Sequence, residues 1–324
     1  MKNRNLAVTL RNIILMEEII VVLAADNKYV IPLTVTLYSL LSNLSSERPI
    51  VLYVIDGGIE WWNKIRINQS LSKTKANFDL KYLNPKKYES QIRNLRIGSH
   101  ITRATYYRLL LPYLLDENIN QVIYLDSDIL IIENLSELWN TPLKDRYLLA
   151  VQDMGIPYVS SLNGLSNYQE LEISPEQKYF NAGVLFINLQ KWRADNIGVK
   201  VIDFIKTNRE KIRWFDQEGL NAIVAGKWGE LDPRWNQMAK IHLYSSWEES
   251  PFSEEIYQNV INNPYIIHFS SQIKPWYFKV TYKCPYEDLF FEYLDHTAWQ
   301  GWRPKEALKN RLKRYWQKII NTFK

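Results

Sequence analysis

Two aspartates separated by one residue follow an apolar run in the middle of the chain. Residues 122–125 are apolar or aromatic and lead directly into Asp126, Ser127 and Asp128. Side chains alternate along a strand, so carboxylates two positions apart point to the same side. Such a pair forms a hard-oxygen site for a divalent cation, which can bridge a diphosphate and neutralise the charge that develops as it leaves. The same tripeptide is also typical of a solvated acidic turn.

Phosphatases that form an aspartyl-phosphate also carry Asp-x-Asp after an apolar strand. That class places the motif near the start of the chain, with Thr or Val after the second aspartate and an Asp-Asp pair further on. Here the motif lies more than a third of the way along, Ile129 follows it, and the sequence contains no Asp-Asp pair. These differences disfavour the phosphatase hypothesis.

The residues before the motif alternate between strand and helix patterns. The continuous apolar run at 19–25 predicts a strand buried on both faces, and residues 49–55 and 78–83 are predicted as the second and third strands. The segments 29–44 and 60–74 between them have helical spacing. This βαβαβ order predicts an α/β protein with a doubly wound sheet that binds ligands at the carboxyl ends of its strands.

The second half of the chain continues the α/β pattern. Strands are predicted at 121–125, 148–152, 179–188 and 265–269, and helices at 104–115, 191–208 and 216–225. A polar loop is predicted at 154–178. A loop of that length inside a compact domain is usually functional, such as a lid or an acceptor-binding loop.

Six segments in chain order carry the residues that could bind a nucleotide sugar. They are AAD at 24–26, ATYYRL at 104–109, LDSD at 125–128, YFNAGVLFIN at 179–188, DQ at 216–217 and HFSSQIKPW at 268–276. Over residues 19–280 the chain resembles glycosyltransferase family 8, the retaining family that includes glycogenin and bacterial lipopolysaccharide galactosyl- and glucosyltransferases. The resemblance implies a GT-A type, Rossmann-like fold with a mixed central sheet flanked by helices. It also implies transfer of glucose or galactose from a UDP-sugar to a glycan or a lipid-linked, lipopolysaccharide-type acceptor.

The resemblance implies a metal site made of Asp126, Asp128 and His268. An imidazole beside two carboxylates favours Mn²⁺ over Mg²⁺, although Mg²⁺ remains an alternative. Lys274 would act as a point charge on the diphosphate. Taken alone, His268 fits a core histidine and Lys274 a surface lysine.

The remaining implied site residues bind the donor or lie beside the reacting carbon. The donor-binding set is Ala24, Asp26, Arg108, Asp126, Ser127, Asn181, Ala182 and Lys274, and the catalytic pair is Asp216 and Gln217. Asp26 could accept from the uracil N3–H or cap the following helix. Arg108 could equally lie on a solvated helix face.

The implied retention of configuration leaves two mechanisms open. A double displacement needs a carboxylate nucleophile, and the matching position holds Gln217, which is a poor one. We therefore expect front-face transfer, in which a leaving diphosphate oxygen helps to deprotonate the acceptor hydroxyl. Asp216 is the alternative, covalent nucleophile.

Composition places the chain in a class and locates its charge. The single cysteine, Cys284, excludes an intramolecular disulfide and favours a cytoplasmic protein. The net charge of the chain is +5, whereas residues 303–324 alone, with eight basic residues and one acidic residue, carry +7. The rest of the chain is nearly neutral, which disfavours nucleic acid as a partner.

The C-terminal segment has both basic and apolar residues at helical spacing. Leu308, Leu312, Tyr315, Trp316 and Ile319 are among the apolar members. The pattern predicts an amphipathic helix lying on an anionic membrane surface, which would make the protein peripheral on the inner face of the membrane. A terminal helix packed on the body is the alternative.

These patterns predict three parts and leave two further functions open. The parts are an N-terminal extension at 1–17, a GT-A glycosyltransferase domain at 18–295 and a basic-aromatic tail at 296–324. One alternative function is a glycogenin-like, self-glucosylating primer, which needs an accessible tyrosine near the site. The other is a non-catalytic sugar- or membrane-binding protein.

Overall fold

The computed structural model describes residues 18–45, 48–98, 102–278 and 284–306. Within these ranges its strands are β1 (Ile19–Ala25), β2 (Ile50–Asp56), β3 (Phe78–Leu83), β4 (Gln121–Leu125), β5 (Ile129–Ile131), β6 (Leu148–Gln152), β7 (Phe180–Asn188), β8 (Gly229–Glu230), β9 (Gln237–Met238) and β10 (Ile266–His268).

The α-helices of the described residues are α1 (Val30–Ser42), α2 (Trp61–Leu71), α3 (Leu111–Leu114), α4 (Leu135–Trp139), α5 (Leu189–Ala194), α6 (Ile197–Thr207), α7 (Phe215–Ile223), α8 (Glu254–Asn262) and α9 (Glu287–Asp295). Shorter 3₁₀ segments occupy Asn27–Tyr29, Glu89–Gln91, Arg103–Leu110, Pro233–Asn236, Ala239–Leu243 and Trp247–Glu249.

Seven strands form the main sheet in the order β3-β2-β1-β4-β7-β6-β8. The first four are parallel, whereas β7 runs antiparallel to both β4 and β6. The mixed central sheet expected from the sequence is therefore confirmed. Because β7 is reversed, its first residues lie at the edge where β1, β4 and β6 end, and this edge carries the site.

A smaller sheet of order β5-β10-β9 extends from the same edge. In it His268, the last residue of β10, pairs with Ile129, the first residue of β5. The Asp-x-Asp motif lies between β4 and β5. This pairing therefore brings His268 next to the two aspartates across more than a hundred residues of sequence.

Both faces of the main sheet are covered, because β1 contributes side chains to two separate cores. Ile19, Val21 and Leu23 pack in a core that also contains helix α1, while Val22 belongs to a core that contains α6 and α7. A strand buried on both faces needs the unbroken apolar run seen in its sequence.

Two predicted helices differ from the structure in form. The segment predicted as a helix at 104–115 is a 3₁₀ helix over Arg103–Leu110 followed by the single turn of α3. The helix predicted at 191–208 is two helices, because Asn196 adopts a left-handed conformation with φ 53° between α5 and α6. Asparagine tolerates this conformation better than most residues, and helical periodicity does not reveal it.

The loop predicted at 154–178 contains no helix and only an isolated bridge between Tyr158 and Lys178. It is held by a small core of its own, formed by Ile156, Val159, Leu165 and Tyr179. A loop with buried side chains can keep a defined shape at the side of the site.

The two termini are described only in part. Residues 1–17 and 307–324, and with them most of the predicted amphipathic tail, lie outside the described residues. The start of the segment assigned to the tail packs on α2, where Arg66 stacks over Trp299 at 5.0 Å and the Ala298 N–H donates to the Ser70 hydroxyl. Among the described helices, none is both long and apolar enough to cross a bilayer.

Candidate active site

A cleft of about 810 Å³ opens at the edge of the main sheet where β1, β4 and β6 end. Every site residue expected from the sequence lines this cleft: Ala24, Asp26, Arg108, Asp126, Ser127, Asp128, Asn181, Ala182, Asp216, Gln217, His268 and Lys274. The volume is within the range of small-molecule sites.

Asp126, Asp128 and His268 form a cluster whose potential ligand atoms all lie within 4.8 Å of one another. His268 Nε2 is 3.4 Å from Asp128 Oδ1 and 4.0 Å from Asp126 Oδ2. Two carboxylate oxygens and one imidazole nitrogen suit a divalent cation such as Mn²⁺. The residues present therefore fit the metal site that the sequence resemblance implies.

The backbone holds this cluster from both sides. The Asp126 N–H donates to the Gly183 carbonyl at 2.8 Å, and the Phe269 N–H donates to the Asp128 carbonyl at 3.0 Å. Gly183 also leaves room for the imidazole, since a Cβ there would stand 2.3 Å from His268 Cε1. Strand pairing and a missing side chain thus set the position of the His268 ring.

Lys274 lies beside the second aspartate rather than on the surface. It is buried, and its Nζ donates to Asp128 Oδ2 at 2.6 Å and to the Phe269 carbonyl. Burial alone would raise the pKa of Asp128, but the interactions with Lys274 and His268 together lower that pKa below the ordinary value. Lys274 thereby places a positive charge at the wall of the cleft and leaves Asp128 Oδ1 towards His268.

Arg108 is also buried and pairs with two carboxylates. Its guanidinium lies 2.6 Å from Asp126 Oδ1 and 2.8 Å from Asp216 Oδ2, donates to the Ala182 carbonyl, and stacks on the Tyr124 ring at 4.4 Å. Burial raises the pKa of Asp216, and the neighbouring Arg108 opposes that rise. The solvated-helix alternative for Arg108 is thus wrong, because the side chain is only 3% exposed.

Both catalytic candidates already have polar partners within the protein. Asp216 is ion-paired with Arg108 and accepts from the Thr105 hydroxyl at 2.8 Å. The Gln217 amide accepts from the Ala182 N–H at 2.9 Å and donates to Asp153 at 3.2 Å. Both side chains are held in defined orientations at the same end of the cleft.

The end of β1 forms another part of the cleft wall. The Ser127 hydroxyl donates to the Ala24 carbonyl at 2.8 Å, which ties the Asp-x-Asp motif to this strand. Asp26 Oδ1 accepts from the N–H groups of Lys28 and Tyr29. Asp26 therefore caps the following helical turn through one oxygen while lining the cleft.

Two polar residues of this region were not predicted from the sequence. Asp153 follows β6, accepts from the N–H groups of Gly155 and Ile156 through Oδ1, and from Asn181 Nδ2 through Oδ2. Its position after a strand was a usable signal, like that of Asp126. Asn236 is fully buried behind the cleft. It lies in a short 3₁₀ segment that does not follow a predicted strand, so its sequence context contained no comparable indication of its role.

The mixed α/β sheet, and a cleft that combines paired carboxylates, an imidazole and the buried basic side chains of Arg108 and Lys274, define a glycosyltransferase of the GT-A type. The model of the family described as Glycosyl transferase family 8 matches residues 20–279. The chain therefore belongs to glycosyltransferase family 8, as its motifs indicated.

The chain is also similar to individual known proteins. General stress protein A of Bacillus subtilis strain 168 is 35% identical over 86% of this chain and 94% of the relative. Lipopolysaccharide 1,2-glucosyltransferase of Escherichia coli K12 is 23% identical over 64% of this chain and 58% of the relative. The crystal structure of the galactosyltransferase LgtC with donor and acceptor sugar analogs superimposes with a TM-score of 0.71 at 26% identity, covering 91% of this chain and all of LgtC.

Proposed function

We propose that this glycosyltransferase moves glucose or galactose from a UDP-sugar to a hydroxyl of a glycan or a lipid-linked, lipopolysaccharide-type acceptor, with retention of configuration. The observation that carries the proposal is the convergence of Asp126, Asp128 and His268 within 4.8 Å, beside Lys274 in a cleft of about 810 Å³. Asp126, Asp128 and His268 would hold Mn²⁺, with Mg²⁺ as the alternative. When bound, the cation neutralises charge on the leaving diphosphate.

The chain's own residues would bind and orient the two substrates. Lys274 supplies positive charge where the diphosphate would lie, and Asp26 retains a carboxylate oxygen that can accept from the base. Asn181 and Asp153 line the cleft and are hydrogen-bonded to each other, and they would bind sugar hydroxyls through their remaining hydrogen-bonding capacity. Such oriented polar groups position the reacting carbon and the acceptor oxygen together.

The arrangement favours front-face transfer over a covalent intermediate. Asp216 is ion-paired with Arg108 and accepts a hydrogen bond from the Thr105 hydroxyl. Both oxygens of Asp153 also accept hydrogen bonds. A carboxylate engaged in this way is a weak nucleophile. The acceptor hydroxyl would therefore lose its proton to the departing diphosphate oxygen, while Gln217 lies beside the sugar.

A donor panel tests this function directly. UDP release should occur with UDP-glucose or UDP-galactose, depend on added Mn²⁺, and be lost in Asp128→Ala. Arg209→Ala, on an exposed residue outside the cleft, is a matched control that should keep full activity. Absence of both UDP release and Mn²⁺-dependent UDP binding would refute the transferase hypothesis and leave a binding role.

Intact-mass measurement separates transfer to another molecule from self-glucosylation. Tyr277 lines the cleft and is 42% exposed, so it is the tyrosine to inspect. We expect no hexose increments on the protein after incubation with donor. Increments that disappear in Tyr277→Phe would favour the glycogenin-like alternative.

We further propose that residues 18–295 act as the transferase domain and that residues 296–324 place it on the cytoplasmic face of an anionic membrane. The basis is the concentration of basic and aromatic residues in this C-terminal segment. The full chain should sediment with vesicles containing anionic lipid and not with neutral vesicles. Replacing Arg311, Lys313 and Arg314 by Gln should abolish that difference, and equal sedimentation of the two proteins would refute the proposal.

A further inference from the structure

A row of hydrogen bonds runs behind the cleft from the metal cluster towards Gln217. His268 Nδ1 lies 2.9 Å from Asn236 Oδ1, and Asn236 Nδ2 lies 3.0 Å from Asn181 Oδ1. Asn181 Nδ2 in turn donates to Asp153 Oδ2 at 3.0 Å. Asn236 is fully buried and does not line the cleft, so its role is to hold its neighbours.

Backbone groups decide the direction of these hydrogen bonds. The Gly183 N–H can only donate, and it lies 2.9 Å from the Asn181 side chain, so the atom it meets must be the carbonyl oxygen. That oxygen can only accept, so the Asn236 atom facing it must be the NH₂ group. The other side-chain atom of Asn236, which faces His268, is therefore its carbonyl oxygen.

The carbonyl oxygen of Asn236 in turn fixes the position of the proton on the imidazole. An amide oxygen accepts and does not donate, so Nδ1 of His268 must carry the hydrogen in this contact. In the neutral ring the unprotonated atom is then Nε2, which points at Asp126 and Asp128. A metal-ligating histidine needs a free lone pair on the coordinating nitrogen and a hydrogen-bond acceptor for its other nitrogen.

We propose that Asn236 is a positioning residue that sets the Nδ1–H tautomer and the ring orientation of His268, so that Nε2 is available to a divalent cation. This inference rests on the proposed metal-binding role of His268. Its basis is a chain of donors and acceptors that begins at the Gly183 backbone and leaves His268 a single neutral tautomer.

Two nearly isosteric variants separate the proposed role from a purely structural one. Asn236→Leu removes the acceptor for Nδ1–H, whereas Asn236→Asp retains an oxygen there. The control is Gln237→Met, which alters the adjacent buried amide; its Nε2 donates to the Val260 carbonyl and so faces away from His268. Asn236→Leu and Gln237→Met both replace a buried amide by an apolar side chain, but only Asn236→Leu removes the proposed support of the imidazole.

The first measurement is the tautomer in the metal-free protein, from long-range ¹H–¹⁵N spectra of ¹⁵N-histidine-labelled protein in alkaline buffer. The chain has 4 histidines, and the spectrum of His268→Gln assigns the signal. We expect the Nδ1–H tautomer in the wild type, Asn236→Asp and Gln237→Met, and a shift towards Nε2–H in Asn236→Leu. An Nε2–H tautomer in the wild type would overturn the proposal.

The second measurement is the affinity for Mn²⁺ alone, by titration with detection of free Mn²⁺ by electron paramagnetic resonance. Loss of an outer hydrogen-bond partner weakens metal binding by about 10–100-fold, so Asn236→Leu should lose that much while Asn236→Asp and Gln237→Met bind normally. Equal weakening in Asn236→Leu and Asn236→Asp, or none in either, contradicts the proposal. If the wild type binds no Mn²⁺, the proposed metal dependence fails, and the tautomer spectrum still decides the role of Asn236.

Discussion

Substituting Gly183 by Ala should displace His268 and disrupt the metal site without unfolding the protein. A Cβ at residue 183 would lie 2.3 Å from Cε1 and 2.8 Å from Nδ1 of His268, and 3.0 Å from Asn181 Oδ1. Carbon atoms in contact are normally about 3.5–4.0 Å apart. The imidazole must therefore retreat by roughly 1 Å or more, and its surroundings are packed, since it is only 5% exposed.

Metal coordination tolerates little movement of this size. Ligand distances in metal sites stay within about 0.2 Å of their normal values, and a displacement of about 1 Å can lower activity about 10²-fold. Overpacking a core costs about 1–3 kcal/mol of stability. Gly183→Ala should therefore weaken Mn²⁺ binding and UDP release strongly, with a modest drop in the free energy of unfolding.

Electron paramagnetic resonance titration of Mn²⁺, urea unfolding and UDP release measure the three effects separately. Gly155→Ala is the matched control in the same cleft, because its new Cβ would have no neighbour closer than 3.5 Å. It should bind Mn²⁺ normally. A folded Gly183→Ala protein with unchanged Mn²⁺ affinity would refute the conclusion that this glycine makes room for the metal-site histidine.

Three further predictions concern the charged pairs. Arg108→Leu leaves Asp216 buried without its counter-charge and should lower the free energy of unfolding by about 3–5 kcal/mol in urea; an unchanged midpoint would contradict this. Lys274→Met frees the Asp128 carboxylate from its ion pair, so added Mn²⁺ should raise the Tm of this variant more than that of the wild type. A smaller rise than in the wild type would refute this prediction. Hydrogen bonds from Arg303 and from the Gly301 N–H lower the pKa of Asp295 to about 2, so the stability they contribute is present above the ordinary Asp pKa and lost as pH falls through about 2. Arg303→Ala should therefore remove part of the pH dependence of urea unfolding between about pH 4 and 2, and an unchanged slope would contradict this.

The sheet and its functional edge were predictable because local patterns determine them. The apolar runs of β1, β2 and β4 leave no polar face, which requires a sheet covered on both sides. Carboxyl ends of parallel strands meet at one edge, so Ala24 and Asp126 had to be close. The same rule would have found Asp153 after β6, since that strand runs in the same direction as β4.

Local sequence patterns could not predict the helix break or which charged side chains are buried. The break between α5 and α6 depends on one left-handed asparagine, and periodicity is the same on both sides of it. The burial of Arg108 and Lys274 likewise depends on partners far along the chain, Asp216 and Asp128. The sequence identified these charges as candidates but could not show that they neutralise each other.

Asn236 shows why a metal site extends beyond the residues that a motif identifies. It lies in a short 3₁₀ segment that no predicted strand precedes, and it reaches His268 because β9 and β10 pair in parallel. The amide can support the imidazole only in one orientation, and that orientation is set by the Gly183 N–H through Asn181. The glycine of the Asn-Ala-Gly strand therefore has two functions, since it makes room for the His268 ring and its backbone directs the proton on that ring.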